Sequence, residues 1–244
     1  MPENLPWLAF AVLIVALLYS SAGHAGASGY IAVMSFFSLA PEVMKQTALV
    51  LNVLVAGIGT WQFWRAGHFS WRLFWPFALL AVPLAAVGGY ARLPAEFFKI
   101  LVGIVLVFSG ARFLLHPGEE KMAREPARPV AIALGGGLGL LAGLTGTGGG
   151  IFLTPLLLHL RWAGTKMAAA VSALFILVNS AAGLIGNFAA TKHIPTCAPV
   201  LALAALLGGA LGSHWGSRHL RPPTIRRCLA AVLFIAGTKL IFVR

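Results

Sequence analysis

The segment Gly143-Leu-Thr-Gly-Thr-Gly-Gly-Gly150 is a place where the backbone, more than any side chain, could do chemistry. Each glycine gives up about 1 kcal/mol against alanine in a helix, so a helix should stop here and another begin at Ile151. The free N–H groups and positive dipole end of the second helix would then point into the break, an anion site that needs no cationic side chain. Gly23-His-Ala-Gly-Ala-Ser-Gly29 offers a similar break before Tyr30. The candidate substrate-binding positions are Gly26, Ser28 and Gly29 in the first break, and Thr145, Gly146, Thr147, Gly148, Gly149 and Gly150 in the second. His24, also in the first break, could bind an anion or carry a proton. The competing reading of such glycines is close helix packing, and it is the preferred one for Gly135-Gly-Gly137.

Asn52 and Asn179, the latter followed by Ser180, lie inside otherwise apolar helical runs. Intramembrane polar groups often mark substrate pathways, and an interhelical hydrogen bond is the alternative. These three complete the candidate binding set. Ser172 and Gln62 read as packing or interfacial residues. Glu42 and Glu96 fall at helix ends, which argues against a carboxylate-based cation pump. No metal site, catalytic residue or cofactor is expected.

Length and composition set the frame for these positions. The 244 residues are 59% apolar and 10% charged, with mean hydropathy +0.89, far from the quarter charged that a soluble chain needs. The chain has no aspartate, and 18 Lys and Arg stand against six acids. In so apolar a sequence this excess reads as loop charge setting membrane topology, not as a nucleic-acid surface. Cys197 and Cys228 have neither CxxC nor His spacing. The expected partners are the lipid bilayer and a small anionic substrate.

Six apolar runs approach the ~20 residues that span ~30 Å of hydrocarbon. Those at 30–40 and 151–160 are too short, and each follows a glycine break. The stretch 5–22 lacks the basic start of a signal peptide and is read as a retained segment. The polar stretch 116–129 divides the chain into membrane halves 1–115 and 130–244. A shift of 120 places superimposes Gly23, Gly26 and Gly29 on Gly143, Gly146 and Gly149, and a shift of 127 superimposes Asn52 and Gly59 on Asn179 and Gly186. If 130–160 enters and returns to the same face, twelve of the 18 basic residues, including Arg65, Arg72, Lys166 and Arg218, share one face. A crossing would split them nine and nine. Positive-inside asymmetry favours the hairpin. The expected fold is an all-α integral membrane protein of about eight helical segments, with two glycine-broken re-entrant hairpins and two inverted repeats. Both termini would lie outside the cytoplasm.

The stretches Gly143-Leu-Thr-Gly-Thr-Gly-Gly-Gly-Ile-Phe-Leu-Thr-Pro155 and Ala169-Ala-Val-Ser-Ala-Leu-Phe-Ile-Leu-Val-Asn-Ser180 resemble the second-half signature of the TauE/SafE sulfite exporter family. Gly29-Tyr-Ile-Ala-Val-Met34, Ala40-Pro-Glu42 and Thr47-Ala-Leu-Val-Leu-Asn52 are similar to its first-half partner. The resemblance spans nearly the whole chain. It implies a permease of the bacterial inner membrane that exports sulfite, sulfonates or related anions, with the two glycine loops and their Asn and Ser neighbours as substrate region. A passive anion channel built from the same parts is an alternative. A remoter one is an intramembrane serine protease, because Gly26-Ala-Ser-Gly29 matches a GxSG pattern.

Overall fold

The computed structural model describes residues 4–91, 126–191 and 197–218 throughout, with further positions between 94 and 111 and at 195, 234 and 238. Most of the linker 116–129 and Cys228 lie outside the described residues, while Cys197 is buried. Among the described residues all regular structure is helical. Eight helices have defined bounds: α1 (Leu5–Ser21), α2 (Ala27–Phe36), α3 (Pro41–Arg65), α4 (Trp71–Tyr90), α5 (Arg128–Thr145), α6 (Gly150–His159), α7 (Thr165–Thr191) and α8 (Ala198–Arg218).

Local chemistry accounts for their ends. Proline opens α1, α3 and α5 within the first two positions, where its missing N–H is harmless. The Ser70 hydroxyl accepts the Leu73 N–H at the start of α4. Glycines in the left-handed region cap the starts of α2 and α6 and the end of α5. Five helices, α3, α4, α5, α7 and α8, are long and apolar enough to cross a membrane. The ten-residue α2 and α6 reach ~15 Å, about half the hydrocarbon thickness. The first apolar run ends as a 17-residue helix at the first break. The helix ahead of the second break runs from Arg128 to Thr145, 18 residues and long enough to cross.

The packing has a definite order. The two longest helices, α3 and α7, cross one another and are the most buried spans. Helix α1 packs against α8 as α5 packs against α4, α2 lies on α3 as α6 lies on α7, and α3 meets α8 as α7 meets α4. The apolar side chains form two main clusters on this plan. One joins Leu8, Tyr30, Met34, Leu51 and Val55 of α1–α3 to Leu201 and Ala205 of α8, with Ile151 and Ile176 added. The other joins Leu153, Val171 and Phe175 of α6 and α7, with Ala131 of α5, to Leu73, Phe77 and Ala81 of α4. Each cluster thus takes its fourth helix from the other half of the chain.

Lipid tails are as apolar as leucine, so helices in a bilayer associate through close van der Waals contact, which small residues permit. Gly135, Gly139 and Gly143 recur every fourth residue along α5, and a Cβ on each would fall on the carbonyls of Phe77, Ala81 and Ala85 in α4. Gly208, Gly212 and Gly216 of α8 stand in the same way against Leu13, Leu17 and Ser21 of α1. Gly137 has nothing within 4 Å of where its Cβ would be. Packing therefore accounts for Gly135 of the Gly135–Gly137 triplet but not for Gly137. Gly139→Ala should lower the melting temperature of the detergent-purified protein, by the ~1–3 kcal/mol that overpacking costs. Gly137→Ala should leave it unchanged or raise it. Equal effects of the two would contradict this packing.

Candidate functional site

The break between α5 and α6 is built from its own side chains. The Gly146 N–H bonds the Ala142 carbonyl at 2.8 Å and closes α5. The Thr145 hydroxyl donates to the Leu141 carbonyl at 2.7 Å and pairs with the Thr147 hydroxyl at 2.8 Å, while the Thr147 N–H reaches it at 3.4 Å. Both threonines are buried, so their hydroxyls brace the turn. The chain then passes Gly148 at φ 74°, a left-handed conformation that side-chain-bearing residues rarely adopt. Helix α6 starts at Gly150, and its first hydrogen bonds run from the Phe152 and Leu153 N–H groups to the Gly149 carbonyl. The N–H groups ahead of them have no partner within the helix.

The break rests on the α3–α7 crossing. A Cβ on Gly148 would lie 2.6 Å from Asn52 Nδ2 and 2.7 Å from Ser180 Oγ. Asn52 Nδ2 donates to Ser180 Oγ at 3.0 Å and ties α3 to α7 at that point. Asn52, Asn179 and Ser180 are fully buried. Asn52 Oδ1 and both polar atoms of Asn179 have no hydrogen-bond partner. An unpaired buried polar group costs ~1–3 kcal/mol, and the Asn52 amide that carries one of these atoms lies against Gly148, just ahead of the α6 N-terminus. Gly149 and Gly150 pack against Phe175 and Ile176 of α7.

The first break is engaged differently. The Tyr30 hydroxyl donates to the Ala25 carbonyl at 2.6 Å, and the Ser28 hydroxyl donates to the Tyr19 phenol oxygen at 3.2 Å. A Cβ on Gly29 would collide with Val15 and Tyr19, and one on Gly26 would press on Tyr30. Gly26, Ser28 and Gly29 are thus packed into the α1–α2 corner. His24 is buried, with Nδ1 at 3.1 Å from the Ala22 carbonyl. Gly23 abuts Ala169 of α7, so each break leans on a crossing helix of the opposite half. Of the sequence candidates, Gly148, Asn52 and Ser180 meet directly. Ser172 accepts from the Thr154 hydroxyl at 2.8 Å and holds α6 to α7, a packing role as expected.

Lys45 is the residue that sequence reasoning passed over, having counted it as a loop charge. It is 6% exposed, and its ammonium donates to the carbonyls of Gly88, Gly89 and Ala91 at 3.1–3.2 Å, at the C-terminal end of α4. Three carbonyls and a helix C-terminus suit a cation, and they leave its formal charge uncancelled. Gly146 lies against the Lys45 backbone and side chain, which puts this cation's residue beside the break. A signal was available. Lys45, Asn52 and Gly59 are spaced by seven residues along α3 and share a face, as Ser172, Asn179 and Gly186 do on α7.

Comparison with known proteins identifies the family. Residues 8–240 match the family described as sulfite exporter TauE/SafE. The chain is 38% identical over 240 residues to the probable membrane transporter protein y4hK of Sinorhizobium fredii (strain NBRC 101917 / NGR234), covering 96% of this chain and 97% of that protein. It is 26% identical over 252 residues to the probable membrane transporter protein YjnA of Bacillus subtilis (strain 168), covering 94% and 96%. No solved structure matches. Membership implies non-enzymatic transport of an anion such as sulfite, and the Ser28 hydroxyl donates to the Tyr19 phenol oxygen. This multi-pass membrane protein belongs to the TauE/SafE sulfite exporter family of membrane transporters.

Proposed function

We propose that the chain is a secondary permease of the bacterial inner membrane that exports a small sulfur-containing oxyanion, sulfite or a sulfonate, by alternating access. The observation that carries this reading is the unpaired Asn52 Oδ1, fully buried where Gly148 meets the α3–α7 crossing, with the unpaired, fully buried amide of Asn179 next to Ser180 in the sequence of α7. Amide N–H groups there, the first N–H groups of α6 and the field of Lys45 all favour an anion. The orphan acceptors Asn52 Oδ1 and Asn179 Oδ1 suit the proton of hydrogensulfite or a water carried with the ion. The first break acts as a rigid counterpart, bringing His24 and the α2 N-terminus to the opposite side of the substrate path.

The halves 1–115 and 130–244 are inverted repeats in this reading, each with a re-entrant hairpin. The exchange of equivalent contacts between α1–α4 and α5–α8 supports the repeat. The hairpin reading needs 65–72 and 161–166 on one face. Desolvation, and then the charge of Lys166, lower the His68 pKa, and a Lys166 close enough to act on His68 supports placing those loops near each other. Trp162 also lies 6.0 Å, ring to ring, from Phe77. Because the fourth helices are exchanged, the moving bodies are the two apolar clusters, sliding at the α3–α7 crossing.

Sulfite flux into proteoliposomes tests the function, and saturation with counterflow distinguishes a carrier from a channel. Gly148→Val should lose at least 90% of flux while remaining folded in the membrane, because the new side chain fills the space against Asn52 and Ser180. Normal flux would remove the break from the site. Asn179→Leu should raise KM for sulfite about tenfold without lowering thermal stability, since the amide makes no protein hydrogen bond. A large loss of stability with unchanged KM would make Asn179 a structural residue. Lys45→Met should reduce sulfite affinity several-fold and Lys45→Arg less so, as read from competition by unlabelled sulfite.

A further inference from the structure

At the C-terminal ends of α3 and α8 a cleft of about 200 Å³ opens to the surface, lined by Trp61, Gln62, Arg65, His214, Ser217 and Arg218. Arg65 is thirteen residues beyond Asn52 on one helix, about 20 Å along its axis, so this cleft is separate from the transport site. Arg65 and Arg218 each lie in the last turn of their helix, where they also offset its dipole. Two guanidinium groups then converge on one small space. Among the described residues the one carboxylate is Glu42, at the other end of α3.

The remaining walls narrow the ligand. Arg65 lies 5.7 Å from the Trp61 ring centre, which steadies it and leaves its N–H edge available. Gln62 Nε2 reaches the Ala210 carbonyl at 3.4 Å, but Gln62 Oε1 is buried with no hydrogen-bond partner. The Ser217 hydroxyl is spent on the His214 carbonyl at 3.2 Å and can still accept. Trp61 of the cleft wall, Trp64 packed edge-on against it and Trp215, next to His214 in sequence, are about half or more exposed, as aromatic anchors at headgroup depth are. A fitting ligand has an oxyanion for the two arginines, a hydrogen-bond donor for Gln62 Oε1, and apolar chains to lie along the tryptophans.

We propose that this cleft is a headgroup site for an acidic phospholipid, with the phosphodiester held by Arg65 and Arg218 and a headgroup hydroxyl donating to Gln62 Oε1. Guanidinium groups match phosphate oxygens in paired hydrogen bonds, and the unfilled acceptor distinguishes a hydroxyl-bearing headgroup from one of equal charge without it. The site depends on the membrane location alone and stands apart from the choice of transported anion.

The test is lipid binding to the delipidated, detergent-purified protein by native mass spectrometry, with phosphatidylglycerol, phosphatidylmethanol, phosphatidylcholine and inorganic phosphate as probes. Phosphatidylglycerol should bind at least tenfold more tightly than phosphatidylcholine and measurably more tightly than phosphatidylmethanol. Arg65→Gln with Arg218→Gln should weaken phosphatidylglycerol about tenfold and leave phosphatidylcholine unchanged. Gln62→Leu should abolish only the preference over phosphatidylmethanol. If the double variant does not fold, the wild-type lipid ranking and Gln62→Leu decide the question. Equal binding of acidic and zwitterionic lipid would overturn the proposal. Displacement of phosphatidylglycerol by millimolar phosphate would overturn the lipid assignment and make this a site for soluble oxyanions.

Discussion

A backbone that stops being helical in the hydrocarbon must find partners for its polar groups within the protein, because no water is there to supply them. Here the break ahead of α6 is placed on the α3–α7 crossing, where Asn52 and Ser180 hydrogen-bond across the two helices and Gly148 lies against both. The rest of the arrangement depends on that contact. It requires glycine at 148, it makes α3 and α7 the most buried spans, and it sets the break ahead of α6 against the Asn52 amide, whose Oδ1 is unpaired. Thr145 and Thr147 then close the turn with their own hydroxyls, so nothing in the break need borrow the amides' unused capacity.

Around this crossing the bundle is held by shape. Glycines on α5 and α8 let the α4–α5 and α1–α8 pairs approach until backbone meets backbone. The surfaces are equivalent in plan but not in detail: the glycine stripe belongs to the first long helix of the second half in one interface and to the last in the other. Since each apolar cluster borrows its fourth helix from the opposite half, the sequence halves and the packed bodies are different divisions of the molecule. In the proposed alternating-access cycle, one packed body slides on the other while the Asn52–Ser180 hydrogen bond lies near the pivot. Lys45, bound to three carbonyls at the end of α4 of the other body, links the two across that boundary.

Much of this was legible in the residues. Glycine clusters before apolar runs too short to cross located both breaks, because a helix tolerates one such residue but not three in seven or five in eight. Asn52 and Asn179 stood out because an amide in an apolar run needs a reason. What could not be read was which glycines face a ligand and which face a neighbour. Gly29 and Gly149 are equivalent in sequence, yet Gly29 is jammed against Tyr19 and Val15 while its counterpart lies on Phe175. The role of Ser28 was hidden for the same reason, since its partner Tyr19 lies on the preceding helix. Lys45 was misplaced because charge near a helix start reads as a loop residue until the carbonyls of another helix are found around it.

The central claim is that one anion bridges Asn52 of α3 and Asn179 of α7. A double-mutant cycle on equilibrium binding of radiolabelled sulfite to the purified protein tests it most directly, using Asn52→Ala, Asn179→Ala and the pair. If one ion touches both amides, the single losses should be coupled, with an interaction of about 0.5–3 kcal/mol. Strictly additive losses, or sulfite binding unchanged in the double variant, would contradict a shared site at the crossing.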